Sequence, residues 1–180
     1  MKYSKTIELY SDGIGRVDYV NHMGDDLTVV NAARVSFGVE KEEIDGRDKK
    51  LISYLIKHRH TSTLEHNLIT FRFSVPLYVR SQHHRHRTWS YNEISRRYTD
   101  VNIQFYEPKE FRTQHKSNRQ ASNAEELANP EVGYSPHILL GYPKSSAAEA
   151  IQHHHEHSLK LFNSLIEAGV CREQARGVLP

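Results

Sequence analysis

The chain holds one cysteine, Cys171, among its 180 residues, so no disulfide can close within it. It has no apolar run near the roughly 20 residues needed to cross a bilayer, so no membrane role is expected. Net charge is small: 24 basic against 22 acidic residues leave +2 with histidine neutral. A polymer-binding domain normally carries a strongly basic face, so no nucleic-acid partner is expected. A mean hydropathy of -0.69 leaves a modest apolar core, which subunit contacts would supplement. No HExxH motif and no cysteine pair is available to build a zinc site. No charged-then-apolar leader opens the chain, since "MKYSKTIELYSDG" turns polar at once. A soluble, cytoplasmic, single domain spanning 1–180, without internal repeats, is the expectation.

What is present reads as helices interleaved with few strands, an α+β class. "DDLTVVNAARVSFG" predicts a helix capped by Asp or Thr, with Val29, Val30, Ala33 and Val35 apolar and Gly38 as the stop. "DKKLISYLIKHRH" repeats the pattern with Leu51, Ile52, Leu55 and Ile56 as its stripe. "NLITFRFSV" alternates, which predicts a strand whose Ile69, Phe71, Phe73 and Val75 face is the better buried. Pro76 ends that strand and suits the first position of a helix. A helix over "PLYVRSQHHRHR" would put Gln82, Arg85 and His86 on one face, whereas a strand would pair Arg85 with Arg87. Residues 115–146, rich in Ser, Asn, Gly and Pro, predict a long surface excursion with one short helical piece at "AEELA". "SAAEAIQHHHEHSLKLFNSLIEAG" predicts a long helix near the C-terminus, stopped by Gly169, and "REQARGVLP" a short one after it.

Chemistry concentrates in "RHRTWSYNEISRRY", Arg85 to Tyr98, where four arginines face one glutamate. A helical Glu93–Arg97 pair at i, i+4 would account for two residues and leave Arg85, Arg87 and Arg96 unexplained. Arginine's planar fork binds phosphate bidentately, and Ser90 and Ser95 add hydroxyl donors, so the run points to a small phosphate-bearing anion. Two other clusters have plainer readings. "HTSTLEH" contains a capping box, Ser62 to Glu65, although His60 and His66 could line a pocket. "HHHEH", His153 to His157, offers an i, i+4 histidine pair, yet a solvated helix face is the simpler reading, and no metal is expected. Cys171 lies at a turn with no histidine partner nearby in sequence, which favours a structural role over a nucleophilic one.

The run resembles the signature of flavin-dependent thymidylate synthases, RHRxxSxNExSxR. Arg85, His86, Arg87, Ser90, Asn92, Glu93, Ser95 and Arg97 fill its fixed positions. "TVVNAARVSFG", "LIKHRHTSTLEH", "FRFSVPLYVRSQ", "QFYEP" and "EAGVCREQARGVLP" are similar to further blocks of that family, in its order. The resemblance implies the family's fold, an antiparallel sheet flanked by helices. It implies methylation of dUMP to dTMP, with methylenetetrahydrofolate as carbon donor and FAD reduced by NADPH, in a homotetramer whose subunits share each site. Carried over residue by residue, it assigns Gln82, His83, His84, Arg85, Glu93, Ile94, Ser95, Arg96, Arg97 and Arg176 to dUMP. It assigns Ser62, Arg85, His86, Arg87 and Glu93 to FAD, and His60 to the border of flavin and folate. The arginine that ionises the uracil in the family would lie beyond Pro180, so no catalytic residue is assigned within the chain. Two competing readings stand beside this one: a catalytically silent nucleotide- or RNA-binding protein built on the arginine cluster, and metal-dependent hydrolysis through the histidine tracts.

Overall fold

The computed structural model describes residues 5–133 and 144–180, in two compact units. One comprises the chain up to Leu9 with Arg16–Ser74; the other comprises Tyr10–Gly15 with Val75–Pro180. Every strand pairing among the described residues is antiparallel, and strands and helices fall in runs along the chain, as in an α+β class.

In the first unit, β1 (Thr6–Glu8), β2 (Arg16–Met23) and β3 (Leu68–Ser74) form a sheet in that order. Sequence reading found β3 but not β2. The register of β2 shifts between Tyr19 and Asn21, and such a bulge interrupts the period of two by which a strand is recognised. The face of β3 expected to be the better buried is only partly covered: Ile69, Phe71 and Phe73 are 59%, 38% and 39% exposed, against 62% for Leu68 on the other face. The reason is that α1 (Asp26–Arg34) and α2 (Gly46–Lys57) pack on each other and on the Thr61–Thr63 turn, not on the sheet.

Both helices begin at reciprocal caps. Asp25 accepts from the Thr28 amide while Thr28 answers to the Asp25 amide, and Asp45 and Asp48 do the same for α2. A short 3-10 turn, Val35–Phe37, follows α1, and Gly38 stops it at a φ of 63° that favours glycine. Val29, Val30 and Leu55 are buried, whereas Ile56, placed on the apolar stripe by its spacing, is 59% exposed. Asp48 is fully buried among these residues. Arg34 donates to its Oδ1 at 2.6 Å, Lys41 and the Asp45 amide bond its Oδ2, and the Lys41 bond above all holds the carboxyl far below its ordinary range. A buried charge is tolerable only when paired in this way.

In the second unit, α3 (Leu77–His83) starts after Pro76, which occupies the N-cap, one position earlier than its sequence context predicts. β4 (Phe111–Gln114) and β5 (Ser122–Ala128) form a hairpin. "AEELA" therefore lies in β5, not in a helix. Cross-strand pairing with Arg112 and Phe111 outweighs the weak helical preference of a five-residue run too short to nucleate alone. The remainder of the expected excursion contains β6 (Glu131–Val132), while residues 134–143 lie outside the described residues. β7 (Ser145–Ser146) pairs with β6 and leads into α4 (Ala147–Glu167), which runs as expected and ends at Gly169 with φ 85°. After it come α5 (Arg172–Ala175) and the 3-10 turn Arg176–Val178. The buried face of α4 is Ala150, His155, Ser158 and Phe162, so the histidine tract is not a wholly solvated face. Gly15 is dictated by close approach: a Cβ there would lie 2.1 Å from the Tyr10 ring.

Candidate functional site

The expected helix through Arg85 and His86 ends at His83, and residues 84–98 form a chain of turns. That loop is built on its own aromatic cluster. The His83 ring meets Trp89 edge-on at 4.9 Å and Tyr91 at 5.6 Å, and His84 lies 4.3 Å from Tyr91. The Tyr91 hydroxyl sits 2.9 Å from the His83 carbonyl oxygen and 3.0 Å from that of His86, closing the first turn. His86 Nδ1 lies 2.9 Å from the His83 carbonyl oxygen, which can only accept, so Nδ1 donates there. His83 and His84 are thus half-buried within the loop, while Gln82, Arg85, His86, Arg87, Glu93 and Ile94 are exposed.

Because no helix forms here, Glu93 and Arg97 do not pair. Glu93 binds Arg80 of α3, and Arg97 reaches Glu173 of α5 at 3.4 Å. Ser95 Oγ accepts from the Arg97 amide at 3.3 Å and shapes the turn before it. The Arg96 guanidinium donates to the carbonyl oxygens of Val101, at 2.8 Å, and Asn102, at 3.2 Å. Arg172 donates to Asp100 at 3.0 Å and holds that carboxyl below its usual range. Arg176, exposed, follows α5 directly. Residues 82–97 and Arg176 thus lie on the same unit, and Arg97 is joined through Glu173 to the short helix that Arg176 follows. Among the described residues, Arg85 and Arg87 have no carboxylate partner.

His60 and Ser62 belong to the first unit. His60 precedes the Thr61–Thr63 turn, its amide donating to the Leu55 carbonyl at 2.9 Å and its ring 6.1 Å from Tyr54. The capping box read into "STLE" does not form, because Ser62 lies inside that turn and no side chain caps it. Cys171 is exposed at the N-cap of α5, 3.7 Å from Gln174 Oε1. In the histidine tract, His155 stacks on Phe105 at 4.6 Å and lies 3.2 Å from Glu107. No group of three or more His, Cys, Asp or Glu placed to hold a metal occurs among the described residues, and no described helix is long and apolar enough to cross a membrane.

Sequence reasoning missed Arg80, Asp100, Arg172 and Glu173. Arg80 was legible, lying one helical turn before His84 on the same side of the chain as the loop it anchors. Arg172 and Glu173 meet the loop only through the return of the chain after α4, which local spacing does not encode, and Asp100, at the end of the loop, is marked only by the Arg172 that arrives there.

The family model described as "Thymidylate synthase complementing protein" matches residues 18–180. A flavin-dependent thymidylate synthase of Thermus thermophilus is 40% identical over 166 residues, covering 92% of this chain and 55% of that protein. One from Thermosipho melanesiensis is 38% identical over 167 residues, covering 92% and 66%. The chain thus spans only part of the length of these relatives. Among solved structures, the UMP/dUMP methylase PolB of Streptomyces cacaoi, bound with 5-Br dUMP, superposes with a TM-score of 0.68 at 32% identity, over 97% of this chain and 70% of that one.

Proposed function

The chain belongs to the thymidylate synthase complementing protein family, and from that premise we propose that it takes part in the flavin-dependent methylation of dUMP to dTMP. Methylenetetrahydrofolate would donate the carbon and NADPH the reducing equivalents, in a cytoplasmic homotetramer that shares its sites between subunits. The observation that carries the reading is the exposed pair Arg85 and Arg87, unmatched by any carboxylate among the described residues, on a loop held by Tyr91 within and by Arg80 from α3. A loop that packs Trp89 and Tyr91 against its own histidines and leaves two guanidinium groups outward is arranged for an anion.

The dUMP set is Gln82, His83, His84, Arg85, Glu93, Ile94, Ser95, Arg96, Arg97 and Arg176. Within it Arg97 and Arg176 supply positive charge from two elements, and Arg80 holds Glu93 in place as an acceptor for ligand N–H or O–H groups. Arg96, whose guanidinium is engaged with Val101 and Asn102, would contribute through its backbone. Fixed positive groups stabilise negative charge developing on the uracil ring, which makes its C5 nucleophilic without attachment to an enzyme thiol. Cys171, exposed and bonded to Gln174, has no part in this.

Ser62, Arg85, His86, Arg87 and Glu93 would hold FAD, with His60 at the flavin and folate border. The donor chemistry fits, since the two exposed forked cations Arg85 and Arg87 suit a diphosphate. FAD, when bound, supplies the hydride. The exposure of Ile94 at 74%, Tyr98 at 81%, Phe37 at 82% and Val35 at 73% supports shared sites, because apolar groups this exposed favour association.

The test is the visible absorbance of the purified protein, followed by conversion of dUMP to dTMP with FAD, NADPH and methylenetetrahydrofolate. Bound flavin and product are expected. A colourless protein that makes no dTMP and binds polyanions with steep salt dependence would overturn the proposal in favour of a silent nucleotide- or RNA-binding protein.

A further inference from the structure

Two ion pairs join the end of the arginine-rich loop to α5: Arg172 to Asp100 at 3.0 Å and Arg97 to Glu173 at 3.4 Å. The turn that presents Asp100 is itself locked. Arg96 grips the carbonyls of Val101 and Asn102, the Val101 amide donates to Thr99 Oγ1 at 3.2 Å, and Asn102 adopts a φ of 54° that asparagine tolerates better than most residues. Asp100 is therefore a fixed point.

On the other side stands a helix of four residues, Arg172–Ala175. A helix so short has no stability or orientation of its own. Ala175 is fully buried and α5 packs on α4, which holds one side of the short helix and leaves its exposed side to the two ion pairs. Arg172 and Arg176 are one turn apart, the Arg176 amide donating to the Arg172 carbonyl, so whatever fixes Arg172 also sets the direction of Arg176.

We propose that Asp100 and Arg172 form a positioning pair for the anion site, tying α5 to the turn that closes the arginine-rich loop and so fixing the direction of Arg176, which lies one turn after Arg172 and three residues after the Glu173 that Arg97 reaches. The inference rests on the nucleotide reading above, and neither residue belongs to the assigned binding set. Both side chains are exposed, at 42% and 44%, so the pair contributes little to stability as a bond. Its effect is geometric: two guanidinium groups gain from one nucleotide only when both are held where it binds.

The experiment uses the full chain with Asp100→Ala, Arg172→Ala, the double variant and Arg172→Lys. It measures dUMP affinity by titration calorimetry and amide hydrogen exchange of residues 171–178. Each alanine variant is expected to weaken dUMP binding by about threefold to tenfold and to speed exchange in 171–178 while exchange in α1 and α2 is unchanged. The double variant should be no worse than either single one, as for residues acting only through each other. Arg172→Lys, which keeps the charge, should recover part of both effects. Additive losses in the double variant, or unaltered exchange in 171–178, would overturn the positioning role. If the unmodified chain binds no dUMP, the nucleotide reading falls, and the exchange data still decide whether the pair orients α5.

Discussion

Replacing Arg97 by alanine tests the anion site most directly. The side chain is 49% exposed and its one ion pair, to Glu173 at 3.4 Å, is long for a charged hydrogen bond. It is therefore available to a ligand at small internal cost. Loss of a hydrogen bond to a charged group costs about 1.5–3 kcal/mol, and with half of the group in water, screening keeps the effect near the lower end. We expect a loss of about 1.5–2 kcal/mol in dUMP binding, or about 10- to 30-fold in Kd. Truncation also leaves Glu173 unpaired beside the loop, which acts in the same direction by adding uncompensated negative charge. Titration calorimetry at two salt concentrations reads this out, because a true ion contact weakens with added salt in the parent and less so in the variant. Arg97→Lys separates charge from geometry: it should fall between the two, since an ammonium cannot form the bidentate fork. A Kd for Arg97→Ala within twofold of the parent, at low salt, would remove Arg97 from the site and refute the reasoning.

Phe162→Ala, which empties a fully buried position on α4, should cost about 3–5 kcal/mol and lower the thermal midpoint by roughly 10 °C; a shift under a few degrees would show that α4 is not packed as described. Ser146→Ala removes the cap whose hydroxyl faces the Glu149 amide while the Glu149 carboxylate accepts from the Ser146 amide at 3.0 Å. The expected cost is about 1 kcal/mol, read by denaturant titration. Asp48→Asn should lower the thermal midpoint at pH 7. The folded carboxyl of Asp48 titrates below its ordinary 3.8, mainly through Lys41, then the Asp45 amide and Arg34. Its contribution is therefore complete above about pH 4 and fades as pH falls through the depressed value. The gap between parent and variant should narrow steadily below about pH 4, and a constant gap down to acid pH would contradict the assignment.

Helix positions were legible wherever local rules suffice. Asp25 caps α1, Gly38 and Gly169 stop their segments at positive φ, and Pro76 separates β3 from α3, each by an effect confined to a few neighbouring residues, whereas α2 starts at Gly46 behind Asp45, ahead of the Asp48 where its apolar pattern begins. The signature from Arg85 to Arg97 was legible for a different reason, since its residue types themselves carry the chemistry. Local rules failed where distant partners decide. "AEELA" becomes strand because β4 pairs with it, and the period of β2 is hidden by its own bulge. His155 leaves the solvated face because Glu107, 48 residues away in sequence, and the nearby Phe105 arrive to meet it.

From its sequence alone, this protein declared an α+β class, its main helices and an arginine-rich run suited to an anion, because capping, periodicity and side-chain chemistry act over short stretches of chain. Only the tertiary structure decided which arginines point outward and which are engaged: Arg80 with Glu93, Arg96 with backbone carbonyls, Arg172 with Asp100. A guanidinium's role depends on what lies within a few ångströms of it, and the folding back of the chain sets that neighbourhood.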